Sequence, residues 1–210
     1  IIQGGAAARK ALDALAARPP AATVAMTEVK LHAPIPRPAK NVFCVGWNYL
    51  EHFEEGAKKL QDSRELPQWP VFFSKAPTAV NGPFDPVPFD PAISTSLDWE
   101  VELAVVIGAR ARDVPASDAL AHVFGYAVMN DITARDRQRT EPQWTRAKGG
   151  DTFGPFGPWI TTADEVGDPV HLRCPRLPRH DALRRPQVVE LHQPVAAALR
   201  PPRHSQRRCR

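Results

Sequence analysis

Apolar residues recur along this chain in short runs cut by proline and glycine, which predicts many short strands and few helices. The opening stretch differs. Its AAARKALDALAARP text is rich in helix formers and predicts a helix from Ile1 to about Ala17, stopped by Pro19 and Pro20, which cannot continue one. From Val29 to Pro38, VKLHAPIPRP reads as an extended edge or linker, because proline removes ladder donors and biases its predecessor toward β geometry. NVFCVG at 41–46 has the apolar, β-branched content of a buried strand, and NYLEHFEEGAKKLQ at 48–61 reads as a short helix. The proline- and phenylalanine-dense text from Pro67 to Pro91 predicts short strands and tight connections. DWEVELAVVIG at 98–108 is the clearest strand, running into a buried AVVIG end. SDALAHVFGYAVMNDIT at 117–133 reads as a helix feeding a second strand, and GPFGPWITTADEV at 154–166 as a glycine-proline loop and a strand. The sum is a strand-dominated, mixed α+β fold.

Composition refines this picture in two places. With 210 residues, 43% of them hydrophobic, the chain can bury a sizeable core, and no run approaches the roughly 20 apolar residues that span a bilayer. A soluble, cytoplasmic protein with no membrane partner is the expectation. Cys44, Cys174 and Cys209 are far apart and form no CxxC, so they read as isolated thiols. The net charge of +4 is unevenly spread: residues 171–210 hold ten Arg against Asp181 and Glu190, a local +8, which leaves −4 for residues 1–170. That last segment lacks Lys, Gly, Phe, Tyr, Trp and Ile, a composition that cannot build a packed core. It reads as an irregular or disordered tail. A shifted reading frame of a GC-rich gene also yields Arg, Pro, Ala and His, and a native basic tail is the other reading. Nucleic acid is a disfavoured partner, since the tail has no interleaved aromatics or lysines. The expected organisation is a helical segment at 1–28, a main folded region at 29–168 and the atypical tail at 169–210.

Candidate chemistry begins on the clearest strand. Alternation places Asp98, Glu100 and Glu102 on one side and Trp99, Val101 and Leu103 on the other. Like charges that close are unfavourable unless a cation or solvent separates them, and oxygen-only donors select a hard cation: Mg²⁺, Mn²⁺ or Ca²⁺. A lone Glu-x-Glu is more often a solvated edge face. Asp131, at the end of the next strand, supplies a third carboxylate. His52 and Glu55, three residues apart on the short helix, form a pair in which the carboxylate orients and strengthens the imidazole as a base.

In this order, GWNYLEH at 46–52, PVFFSKAPTAVNGP at 70–83, DWEVELAVVIG, GYAVMNDITARDRQ at 125–138 and WTRAKGGDTFGPFGPWI at 144–160 resemble consecutive blocks of the fumarylacetoacetate hydrolase family. The resemblance covers about residues 29–168 and implies the family's catalytic-domain β roll or sandwich, here incomplete. It implies Glu100, Glu102 and Asp131 as ligands of Mg²⁺ or Mn²⁺, with Ca²⁺ as a substitute, and His52 and Glu55 as the water-activating dyad. It further implies Lys148 beside the substrate carbonyl, Arg135 and Gln138 facing the substrate, and a homodimer. The implied reaction is hydrolysis of a carbon-carbon bond in a small 2-oxo acid of the acylpyruvate or fumarylpyruvate type, through a metal-stabilised enolate. Decarboxylation or tautomerisation on the same scaffold is the alternative, and a catalytically inactive fragment is another. The family's later N-G-x-x-x-Q turn and G-T-P-x-G-x-G loop are absent, and the tail from about His171 stands in their place.

Overall fold

The computed structural model describes residues 2–18, 22–46 and 68–169. Helix α1 spans Gly5–Ala16, close to its sequence-based bounds. Two strands follow, β1 (Val42–Gly46) and β2 (Val71–Lys75), paired antiparallel with Val42 opposite Lys75 and Gly46 opposite Val71. The main sheet contains β3 (Val80–Asn81), β5 (Val101–Ile107), β6 (Val123–Asn130) and β8 (Gly154–Thr162), in the spatial order β3-β8-β6-β5. A separate two-stranded sheet joins β4 (Leu97–Asp98) to β7 (Thr133–Ala134). Short helices α2 (Arg135–Thr140), α3 (Trp144–Lys148) and α4 (Ala163–Val166) complete the described elements. This is the strand-dominated α+β architecture the sequence predicts. Among the described residues no helix is long and apolar enough to cross a membrane.

The core has two centres. Ala33, Val106, Ala127, Met129 and Phe156 pack on the main sheet, while Val87, Leu97, Ile132, Ala134 and Phe153 pack around the small one. The segment Asn130 to Thr133 joins the two sheets, so the end of β6 enters the second centre at Ile132, which is 1% exposed. Fully burying a side chain of that size contributes about 1.5–3 kcal/mol. The Asp131 carboxylate is thus carried on a segment fixed by burial on either side.

Several expectations are corrected in detail. DWEVELAVVIG is not one strand: Asp98 ends β4, Trp99 and Glu100 lie between strands, and β5 starts at Val101. The reason is competition for partners, since β4 pairs with β7 whereas β5 pairs with β6. Nor is the AVVIG end fully buried, because β5 lies at the sheet edge with Val105 and Ile107 exposed. β1 is half-buried rather than buried, with Phe43 exposed. The helix predicted within 117–133 is a 3-10 segment over Ala116–His122, feeding β6 directly. The GPFGPW text belongs to β8 rather than to a loop, with a cis Gly157–Pro158 peptide inside it.

Gly125 shows why β8 can close on β6. A Cβ there would collide with the Thr161 backbone carbonyl and come 2.9 Å from Ile160 Cγ2. Gly125→Ala is expected to destabilise the protein by about 1–3 kcal/mol through overpacking, read as a lower midpoint in urea with an unchanged slope. Cys44 gives a second expectation. Burial above all, with the Asp131 charge adding to it and Lys75 and Lys148 opposing, pushes its thiol up to about 12. In a Cys174→Ser, Cys209→Ser background, alkylation at pH 8 should run at least about 10²-fold slower folded than unfolded, because only the thiolate reacts. The unfolded thiol ionises near its ordinary value of 9.0 while the folded one stays protonated. Stability therefore falls as pH rises above that value.

Candidate active site

The site assembles where the ends of β2, β6 and α3 meet the turn between β4 and β5. Asp131 follows β6, and its backbone N–H donates to the Glu100 carbonyl at 2.7 Å. Glu100 N–H in turn donates to Asn130 Oδ1 at 3.1 Å, leaving the buried Asn130 Nδ2 without a hydrogen-bond partner. These contacts extend the β5-β6 pairing past Val101 and bring Glu100 beside Asp131, although Glu100 is outside any strand.

Lys148, the last residue of α3 and 3% exposed, joins the two carboxylates. Its Nζ donates to Glu100 Oε2 at 2.8 Å, Asp131 Oδ2 at 2.5 Å and Thr133 Oγ1 at 2.8 Å, which uses all three ammonium protons on side-chain oxygens. The Phe73 ring lies beneath it, 4.9 Å from Nζ to centroid, and meets Trp144 edge-on at 5.7 Å. The ammonium is thereby shielded on an aromatic face that favours positive charge.

The other Glu100 oxygen, Oε1, accepts a short bond from Arg135 Nη2. Arg135 also bonds Asp98 Oδ2 through Nε at 2.8 Å and Gln138 Oε1 through Nη1 at 2.8 Å. Arg135 and Gln138, expected to face a substrate, here hold each other and the two carboxylates. Burial alone would push the Glu100 carboxyl up, but Lys148 and Arg135 outweigh it and hold Glu100 down at about 2. Glu102 behaves in the opposite way. Burial first, then the Glu100 and Asp131 charges, push it up to about 7, with Lys148 offsetting only part.

That contrast tests whether a divalent cation suits the cluster. Three oxygen donors of one charge type share a buried region, and the third is short of positive charge, a donor set that suits a hard cation. Among the described residues no three His, Cys, Asp or Glu side chains form a ready metal group, and the position between Glu100 and Asp131 is held by Lys148. By donor chemistry the three carboxylates are of the kind that would hold a hard divalent cation. His52 and Glu55 lie outside the described residues.

Sequence reasoning missed Lys75. It ends β2, is 0% exposed, and its ammonium sits 2.6 Å from Asp131 Oδ1. Burial lowers its pKa while Asp131 opposes that shift. The available signal was a lone lysine closing the apolar run PVFFSK, a position where a solvated cation has no evident role. Thr133 and Asn130 carried no comparable signal.

Comparison with known proteins identifies the family. Residues 41–189 match the family described as fumarylacetoacetate (FAA) hydrolase C-terminal, which runs past 168, where the recognisable blocks end. A mitochondrial oxaloacetate tautomerase of Homo sapiens is 43% identical over 173 residues, covering 81% of this chain and 52% of that protein. An oxaloacetate tautomerase of Bacillus subtilis is 41% identical over 148 residues, covering 70% and 48% respectively. Among solved structures, a fumarylacetoacetate hydrolase from Exiguobacterium antarcticum superposes with a TM-score of 0.60 at 43% identity, covering 71% of this chain and 51% of that one. A 2-hydroxyhepta-2,4-diene-1,7-dioate isomerase from Mycobacterium marinum gives 0.55 at 40% identity, covering 68% and 49%. The chain spans about half the length of the curated relatives it matches. With the family match running through all three sheets and every described site residue, the chain belongs to the fumarylacetoacetate hydrolase family.

Proposed function

We propose that this site interconverts the keto and enol forms of a small 2-oxo acid of the oxaloacetate type, with the help of Mg²⁺ or Mn²⁺. One observation carries the reading: the buried Lys148 ammonium is bonded at once to Glu100 and Asp131, so a cationic donor and anionic oxygens share one point. The names of the relatives favour tautomerisation over hydrolysis.

Tautomerisation moves one proton from C3 of the substrate to the oxygen on C2 and needs no water attack. When bound, the divalent cation supplies Lewis-acid polarisation of the 2-oxo group. Glu100, Glu102 and Asp131 are the residues that would hold it. Lys148 Nζ, released from one carboxylate, donates a hydrogen bond to the C2 oxygen as negative charge develops there, an effect worth about 10²–10³-fold in rate. Arg135 and Gln138 form a donor-bearing pair suited to a substrate carboxylate once Arg135 lets go of Asp98. The hydrolytic reading rests on His52 and Glu55 activating a water, and the sequence alone supports it.

The test follows the enol absorbance of freshly dissolved oxaloacetate, with product analysis on acetylpyruvate in parallel. Metal-dependent acceleration of enol-keto exchange without carbon-carbon cleavage is expected, falling at least about 10²-fold in Lys148→Met. Cleavage of acetylpyruvate as the main reaction would replace this reading with the hydrolytic one. Absence of both reactions would favour an inactive fragment.

A further inference from the structure

The two buried lysines at Asp131 are held in different ways. Lys75 Nζ donates to the backbone carbonyls of Ile132 at 3.1 Å, Phe153 at 2.9 Å and, more closely, Lys148. Its three protons are matched by those carbonyls, and its ammonium also lies 2.6 Å from Asp131 Oδ1 as a buried ion pair. The three carbonyls come from the β6-β7 turn, the end of α3 and the segment entering β8. Lys75 therefore cannot withdraw without giving up three backbone acceptors, of which the Phe153 carbonyl keeps a second donor, the Ile132 N–H. Lys148 bonds only to side chains and is replaceable. A parallel division occurs at Glu100, where Arg135 takes Oε1 and Lys148 faces Oε2. Asp131 and Glu100 thus each have one oxygen against a second cation, Lys75 or Arg135, and one turned toward Lys148.

We propose that Lys75 sets the ion selectivity of the site by restricting Asp131 to single-oxygen ligation through Oδ2, favouring Mg²⁺ over Ca²⁺. This rests on the metal reading above. Ca²⁺ takes 6–8 oxygens and readily uses both oxygens of a carboxylate, whereas Mg²⁺ accepts a near-ideal octahedron of single oxygens. A second cation approaching Oδ1 would meet the Lys75 ammonium at 2.6 Å from that oxygen, in a dry interior where like charges repel strongly. Because Mg²⁺ gives up its waters reluctantly, an unrestricted carboxylate site favours Ca²⁺. A site that does not is informative about its geometry.

The experiment measures displacement of Mn²⁺ by Mg²⁺ and by Ca²⁺ from the full chain, with free Mn²⁺ read by electron paramagnetic resonance. The wild type is expected to bind Mg²⁺ at least as tightly as Ca²⁺. In Lys75→Met the ratio should move about tenfold toward Ca²⁺, and in Lys75→Arg, which keeps the charge, it should stay near wild type. The ratio compares two ions in one variant, so a general loss of stability does not move it. A wild-type preference for Ca²⁺ would overturn the proposal even if Lys75→Met fails to fold. So would an unmoved ratio in folded Lys75→Met. Wild-type protein that binds no Mn²⁺ at all would instead remove the metal reading, and this proposal with it.

Discussion

The organisation of this protein depends on one buried charge arrangement: the Asp131 carboxylate lies between two ammonium groups, with Lys75 at 2.6 Å from Oδ1 and Lys148 at 2.5 Å from Oδ2. Removing ions from water costs several kcal/mol each, and removing one partner from a buried pair costs about 3–5 kcal/mol because the other is left uncompensated. Such a cluster is a poor device for stability alone, since apolar side chains of similar volume would serve at least as well. Its placement at the junction of two sheets makes sense if the charges are there to be used.

The fold supplies what the cluster needs. Asp131 is held between a strand of the main sheet and Ile132 in the second core centre, and the Glu100 backbone is pinned to it at 2.7 Å. Lys75 arrives from the β1-β2 pair and bonds three carbonyls from segments far apart in sequence. Lys148 arrives at the end of α3, above Phe73. The positions of the carboxylates and of Lys75 are thus set by backbone contacts and apolar packing, whereas the charged heads of Lys148 and Arg135 bond only side chains.

Much of this was legible in the sequence, and the failures have physical causes. The apolar runs gave the strand-rich α+β class and the approximate positions of β1, β5, β6 and β8, because β-branched content and flanking glycine or proline act locally. Ordered blocks of residues pointed to Glu100, Glu102, Asp131 and Lys148, and the structure brings Lys148 onto both Glu100 and Asp131. The break at Trp99–Glu100 was hidden, since alternation continues through it and only the competing partners β6 and β7 divide the strand. The exposure of Val105 and Ile107 was hidden for a similar reason, as edge position is a property of the whole sheet. Lys75 was missed because its role comes from three carbonyls remote in sequence, and Arg135 was assigned to substrate while its bonds to Asp98 and Glu100 could not be foreseen.

The most direct test of the central claim is anomalous scattering from crystals grown with Mn²⁺. The account expects one peak within about 2.0–2.3 Å of oxygens from Glu100, Glu102 and Asp131, with the Lys148 ammonium moved off at least one of the carboxylates. Manganese bound only at the surface, with Lys148 still bridging Glu100 and Asp131, would contradict it.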